Sequence, residues 1–293
     1  MRILAALSLV FIFALLLPGV QKALRRRVGS QPRILFLASL FLSAVFCALA
    51  AVFDALGVRL AVLAVLYTLL PTTLVFLKGP KAHSGAPSVL DLAAILLLWL
   101  PLEFSAGQHL IPARVQGSLH TVAYGIAVTL ALLLFLIFRQ LPGMKYNLPL
   151  RARDWIYPWV GFVIAAPILI VLGLWLSFIQ PFHFAPNLSA GSFATTFLLI
   201  LAATALPEEI LFRSLIQNWL MQRFGPGYGT LLLAGVIFGC AHLNNGPAPP
   251  NWPYMILATI AGVAYGMVFQ KSSSVLSSAM LHALVNTVKR FFF

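Results

Sequence analysis

Residues 197–220 read FLLILAATALPEEILFRSLIQNWL, a run of apolar side chains that contains two adjacent carboxylates. Apolar runs of similar length recur along the whole chain. The 293 residues are 61% hydrophobic and 9% charged, against roughly 45–50% apolar and about 25% charged in soluble domains. A soluble globule with this composition would have too few polar side chains to cover its surface. The sequence therefore predicts an integral membrane protein that crosses the bilayer several times.

The apolar runs predict an all-α polytopic membrane helical bundle. At about 20 apolar residues per span, the chain has room for about 8–10 transmembrane helices. The runs are continuous and lack the alternation that is typical of a β-barrel strand. The candidate helices lie near Ile3–Val20, Ile34–Phe53, Leu60–Leu77, Val89–Phe104, Thr121–Phe138, Trp159–Ile179, Phe193–Phe212, Thr230–His242, Tyr254–Phe269 and Val275–Val288.

The basic residues fall mostly between these runs. Nineteen Lys and Arg against six Asp and Glu give a formal net charge of +13, which in a soluble chain would suggest a nucleic-acid partner. Here clusters such as those in 22–27 and 139–153 flank apolar runs, as the positive-inside rule predicts for cytoplasmic loops. No basic stretch is interleaved with aromatic residues, so we expect no nucleic-acid binding.

The segment Gln140–Tyr157 shows the clearest change in composition, because it is rich in Pro, Arg and Lys. We interpret it as the seam between two parts of the chain. These are an N-terminal set of transmembrane helices of unknown role, residues 1–150, and a C-terminal domain, residues 151–293. A second polar loop, Asn244–Trp252, holds three prolines and is predicted to be non-helical. Two cysteines, Cys47 and Cys240, cannot supply a disulfide framework or a Cys-based zinc site.

Glu208 and Glu209 are the feature of residues 197–220 that most needs an explanation. An ionisable side chain in mid-membrane costs roughly 2.5–3.5 kcal/mol or more, so it is a functional candidate by default. Glu209 and Arg213 stand four residues apart on one helical face, which predicts an ion pair. Glu208 lies about 100° around the axis and is free to face a cavity. Pro207 predicts a kink in the helix or the start of a new helix. Alternatively, the helix ends near residue 207 and the two acids lie at a helix N-terminus, which they cap.

Two histidines also lie in or at the ends of apolar runs. His242 follows Phe238 by four residues in GVIFGCAHLNN, and His282 precedes Asn286 by four in SAMLHALVNTVKR. Each pair therefore shares a helical face. The alternative is that His242 and His282 are each a neutral core histidine with one backbone hydrogen-bond partner. The other histidines lie in or near polar loops, where a solvated side chain is expected: His83, His109, His120 and His183.

Three motifs carry a family resemblance. EEILFR, FGCAH and HALVN match Glu-Glu-x-x-x-Arg, Phe-x-x-x-His and His-x-x-x-Asn, in that order and on separate hydrophobic segments. The set resembles the CPBP family, which groups type II CAAX prenyl endopeptidases with bacterial bacteriocin-processing and immunity proteins. The resemblance covers Phe193–Lys289. The sequence departs from the family pattern at Ser214, where the family commonly has glycine. It implies an intramembrane protease domain in a multi-pass protein of the bacterial plasma membrane.

The resemblance implies hydrolysis of a peptide bond in a membrane-associated peptide or protein at the lipid bilayer. A prenylated CAAX peptide is the substrate class of the eukaryotic members. Glu208 is then the candidate base that activates water together with His242. His282 and Asn286 are the candidate donors to the oxyanion. The supporting residues are Glu209, Arg213 and Phe238.

A metalloprotease version of this chemistry uses the same side chains. Glu208, His242 and His282 would bind a divalent metal such as zinc, with water as the fourth ligand. The chain has no HExxH pair, which is the usual spacing for such a site. The same residues can also act without a metal, so the sequence leaves both versions open.

Two other classes of function fit the buried polar residues. A proton-coupled transporter also places acids, an arginine and histidines inside the membrane, and it predicts pH-dependent flux without peptide hydrolysis. A non-catalytic membrane scaffold or immunity protein of the same fold predicts neither activity.

Overall fold

The computed structural model describes residues 9–80, 87–246 and 249–293. Every regular element within these ranges is a helix, which confirms the all-α prediction. Six of the described helices are long and apolar enough to cross a membrane, and Tyr228–Cys240 is a shorter apolar helix. The multi-pass membrane class predicted from composition is therefore confirmed.

The described residues fall into two compact units, one on each side of the bond between Pro142 and Gly143. This boundary lies within the predicted seam. The division of roles at residues 150 and 151 stays a prediction. The first unit contains α1 (Pro18–Ser30), α2 (Ile34–Val52), α3 (Val58–Lys78), α4 (Val89–Glu103) and α5 (Ala113–Phe138).

The first predicted helix, Ile3–Val20, differs from the structure. Residues 1–8 lie outside the described residues, residues 9–14 are helical, and α1 begins at Pro18. Proline suits the first position of a helix because its missing N–H has no partner there in any case. The basic cluster in 22–27 therefore lies on a helix, where Arg25 donates to the carbonyl oxygen of Leu136 at 3.1 Å.

A buried ion pair holds the first unit together. The guanidinium of Arg139 donates to both carboxylate oxygens of Asp91, at 2.8 and 2.9 Å, and to the carbonyl oxygen of Gly79 at 2.9 Å. Asp91 also accepts from the backbone N–H of Ser88 at 2.8 Å and so caps the start of α4. One guanidinium thus connects the end of α3, the start of α4 and the end of α5.

The second unit contains α6 (Ala152–Trp175), α7 (Ala190–Phe224), α8 (Tyr228–Cys240), α9 (Trp252–Lys271) and α10 (Val275–Phe292). The longest of them, α7, runs without a break through both glutamates. The prediction that a helix ends near residue 207 is therefore wrong, and so is the prediction that a new one starts there. Glu208 and Glu209 lie in the interior of a 35-residue helix.

Wide turns explain how α7 continues through Pro207. A π-helical stretch, Leu201–Ala205, precedes the proline, and a second one, Ile210–Gln217, follows it. In an α-helix, the proline ring collides with the carbonyl group four residues earlier and leaves it without a donor. Hydrogen bonds from i to i+5 widen the turn, which moves that carbonyl away from the ring.

Helices α8 and α9 pack closely because α8 has glycines on the contact face. A Cβ atom on Gly235 would lie 2.7 Å from the side chain of Val263. A Cβ atom on Gly239 would lie 2.6 Å from the carbonyl oxygen of Met255 and would collide with the Thr259 side chain. Small residues one turn apart let two helix backbones approach in a membrane, and here they fix α8 against α9.

Candidate active site

A cavity of about 150 Å³ lies within the second unit. Its walls come from α6, α7, α8, α9 and α10 and from the short segments that follow α6 and α8. The four candidate catalytic residues all line this cavity: Glu208, His242, His282 and Asn286. The structure thus brings together side chains from three separate motifs and 79 positions of sequence.

Glu208 faces the cavity. Its side chain keeps 22% of its surface exposed, and its Oε2 atom lies 3.8 Å from Nε2 of His282. This distance is too long for a hydrogen bond. Among the described residues, Oε2 of Glu208 has no hydrogen-bond partner. This oxygen is itself buried, and a buried carboxylate oxygen without a partner is a candidate to accept a hydrogen bond from a bound water molecule or substrate.

Glu209 has the opposite environment. Its side chain is fully buried, and its Oε2 accepts from Nε of Arg213 at 2.9 Å. The predicted ion pair between these two residues is therefore present. The other carboxylate oxygen of Glu209, Oε1, lies 3.1 Å from Nδ1 of His282. Sequence spacing could not predict this second contact, because it joins α7 to α10.

Arg213 continues the buried network along α7. Its Nη1 donates to Oε1 of Gln217 at 3.2 Å, and Nε2 of Gln217 donates to the carbonyl oxygen of Gly266 at 3.0 Å. The guanidinium carbon also lies 5.0 Å from the ring centroid of Phe238. Gln217 was missing from the candidate residues, although its spacing of four from Arg213 was a usable signal.

Phe238 lies in the last turn of α8, and His242 follows the end of this helix by two residues. The rings are 4.7 Å apart, and Nδ1 of His242 lies 2.8 Å from the carbonyl oxygen of Phe238. A carbonyl oxygen only accepts, so this nitrogen carries the proton. In neutral His242 the lone pair is then on Nε2. The backbone partner of the core-histidine alternative is present, but the side chain also lines the cavity.

His282 is held from two sides. A carboxylate oxygen of Glu209 accepts from its Nδ1–H, and the ring of Tyr265 stacks on it with centroids 4.7 Å apart and planes 17° apart. Tyr254 contacts the ring of His242 edge-on, with centroids 4.6 Å apart. Neither tyrosine was a candidate from sequence, since neither stands at motif spacing and each lies in the apolar run of α9.

Asn286 is half-buried on the cavity wall, one turn beyond His282 on α10. Ser214, the departure from the family pattern, is fully buried, and its hydroxyl donates to the carbonyl oxygen of Met144 at 2.7 Å. The hydroxyl thus binds backbone of the segment before α6.

The candidate metal ligands come from three different segments of the chain. The proposed ligands Glu208, His242 and His282 share one cavity. Among the described residues, however, no group of three His, Cys, Asp or Glu side chains is arranged to hold a metal ion. The metal-dependent version stays a prediction.

Comparison with known families agrees with the motifs. No curated protein and no solved structure matches the chain. Residues 190–288, about a third of the chain, match the family described as Rce1-like, type II CAAX prenyl endopeptidase. The matched segment contains all four candidate catalytic residues on the cavity wall. The resemblance predicted from the three motifs is confirmed, and over residues 190–288 the chain matches the Rce1-like, type II CAAX prenyl endopeptidase family.

Proposed function

We propose that the second unit hydrolyses a peptide bond in a membrane-associated substrate, with Glu208 as the general base. The main support is the position of Glu208. Its Oε2 atom has no hydrogen-bond partner among the described residues, and the side chain shares a cavity with two histidines and an amide. The family match supports a CAAX-type intramembrane endopeptidase, for which the substrate is a C-terminal peptide with a prenylated cysteine.

The first step is the attack of water on the scissile carbonyl carbon. Glu208 accepts one proton from the water while the water oxygen forms a bond to carbon. His242 orients the same water, because Nε2 offers a lone pair once Nδ1–H is bound to Phe238. The result is a tetrahedral intermediate with its negative charge on the former carbonyl oxygen.

The second step needs donors for that oxygen. Asn286 offers its amide N–H groups from the cavity wall. His282 can donate from Nε2 only when both ring nitrogens carry a proton, because its Nδ1–H is bound to Glu209. The carbon–nitrogen bond then breaks, and Glu208 returns its proton to the leaving nitrogen. The products are a carboxylic acid and an amine, and Glu208 is again a carboxylate.

The decisive experiment replaces Glu208 by Gln. The assay uses the purified protein in proteoliposomes and an S-farnesylated peptide that ends in a C-a-a-X sequence. Loss of the base should lower the cleavage rate at least about 100-fold, the usual contribution of a general base. Thermal unfolding should stay at the wild-type temperature, since the side chain is not part of the buried ion pair.

Asp54→Asn is the matched control. It also replaces one carboxylate by an amide, at an exposed position in the first unit with φ 53°, a conformation that asparagine tolerates. This variant should keep wild-type activity. Full activity of the Glu208→Gln variant would overturn the proposal, and pH-dependent flux without cleavage would favour the transporter.

The metal-dependent version has its own test. Stoichiometric zinc in the purified protein, together with loss of cleavage after chelation, would support Glu208, His242 and His282 as ligands. Cleavage that persists after chelation, in protein shown to be free of metal, would support the metal-independent steps given above.

A further inference from the structure

A cation lies in the cavity of the proposed active site and has no part in the steps above. Lys289 lines the cavity together with His282 and Asn286. It stands seven residues after His282 on α10, and seven residues fall about 20° short of two full turns. The three side chains therefore form a single row along one face of α10.

Aromatic rings hold the Lys289 ammonium at the cavity wall. Its Nζ atom lies 4.0 Å from the ring centroid of Phe178 and 5.4 Å from that of Tyr254. Both distances are typical of cation–π contacts. None of the ion pairs formed by the described residues includes Lys289. The ammonium is thus positioned by rings and keeps its hydrogen-bond donors for an anionic ligand.

We propose that Lys289 binds the C-terminal carboxylate of the peptide that the site cleaves. The proposal rests on the proposed function of the cavity. The rise of α10 from His282 to Lys289 is about 10 Å, and about three residues of extended peptide cover the same distance. A substrate whose scissile carbonyl lies beside Glu208 and His282 then places a carboxylate at Lys289 if its chain ends about three residues later.

This assignment gives the site a specificity that the base and the oxyanion donors do not supply. A peptide bond in the middle of a membrane protein has no carboxylate at this distance, so it lacks the contact with Lys289. A chain end does have one. The cation therefore favours release of a short C-terminal peptide over cleavage within a longer chain.

The test compares two S-farnesylated peptides that end in Cys-Val-Leu-Ser, one with a free carboxylate and one with a carboxamide. Wild-type protein should prefer the acid. Lys289→Gln should lower kcat/KM for the acid about ten-fold, mostly through KM, because it removes a charge-assisted hydrogen bond. It should leave kcat/KM for the amide unchanged, and Lys289→Arg should restore most of the preference.

The matched control is Lys271→Gln, which removes an exposed cation from the end of α9 in the same unit. It should keep the preference for the acid. An equal loss on both peptides in the Lys289→Gln variant would mean that Lys289 supports the fold or binds a lipid headgroup, and it would overturn the carboxylate site. Absence of any preference in the wild type would do the same.

A binding measurement separates this proposal from the proposed hydrolysis. Fluorescence anisotropy gives the Kd of both labelled peptides for the Glu208→Gln variant, with and without Lys289→Gln. The acid should bind about ten-fold more tightly than the amide, and the difference should vanish in the double variant. If wild-type protein cleaves neither peptide, the hydrolase proposal fails while this result still decides on Lys289. Equal binding of the acid and the amide would overturn the proposal that Lys289 binds the C-terminal carboxylate.

Discussion

Neighbouring glutamates in α7 meet opposite environments. Glu209 has charged and polar partners, which include Arg213 and His282, and no contact with solvent. Glu208, one residue earlier, faces the cavity and keeps a carboxylate oxygen without a partner among the described residues. The helical rotation of about 100° per residue separates a structural carboxylate from an available one.

This difference predicts that the two glutamates respond differently to the same substitution. Glu209→Gln leaves Arg213 buried without a counter-charge, and breaking a buried pair in this way costs about 3–5 kcal/mol of unfolding free energy. Glu208→Gln should change stability little. Thermal unfolding in detergent measures both variants, and equal destabilisation would contradict the assignment of separate roles.

Side-chain spacing predicts contacts within a helix and fails between helices. The Glu209–Arg213 pair and the Phe238–His242 contact both follow from a separation of four residues. The contact of Glu209 with His282 depends on how α7 and α10 pack. No single segment of sequence contains that information.

At the level of elements, apolar runs predict where helices lie better than where they end. The seventh candidate helix was expected over Phe193–Phe212, but α7 extends from Ala190 to Phe224. Its last turns contain Arg213, Gln217 and other polar residues, which by hydropathy alone end a span. They continue the helix because buried partners satisfy them, such as the carbonyl oxygen of Gly266 for Gln217.

The α8–α9 contact predicts a large effect from one methyl group. Gly239→Ala places a Cβ atom within 2.6 Å of the Met255 carbonyl oxygen, and overpacking of this kind costs about 1–3 kcal/mol. The loss should appear as a lower unfolding temperature and as weaker cleavage, since His242 follows the end of α8 by two residues.

Gly229→Ala is the control for this prediction. Gly229 lies in the same helix, and a Cβ atom there meets nothing within 4 Å. Alanine is the better helix former, by about 1 kcal/mol, so this variant should be as stable as the wild type or more so. A similar loss in both variants would show that the close contact is not the cause.

At the level of the whole molecule, amino-acid composition alone predicted that the chain lies in a membrane. Large apolar side chains remain exposed in the folded chain, as with Val58 at 83% and Trp175 at 78%. In water such a surface would be unfavourable, whereas a lipid bilayer covers it. Composition could not indicate what the first unit does, because its helices carry apolar residues without a recognisable motif.

The distribution of basic residues predicts the orientation of the chain. Arg25, Arg26 and Arg27 precede α2, so the residue at position 30 is expected on the cytoplasmic side and Gly57, beyond α2, on the other. Single cysteines at these positions, Ser30→Cys and Gly57→Cys, test this after Cys47 and Cys240 are replaced by Ala. A membrane-impermeant maleimide added to inverted vesicles should label only the first. Labelling of both from one side, or the reverse pattern, would contradict the predicted orientation.

Arg139 attaches the ends of two other helices to the end of α5. The same guanidinium binds the carbonyl of Gly79, directly after α3, and the carboxylate of Asp91, in the first turn of α4. Both attachments therefore depend on one side chain. Replacing Arg139 would release the end of α3 and the start of α4 at the same time.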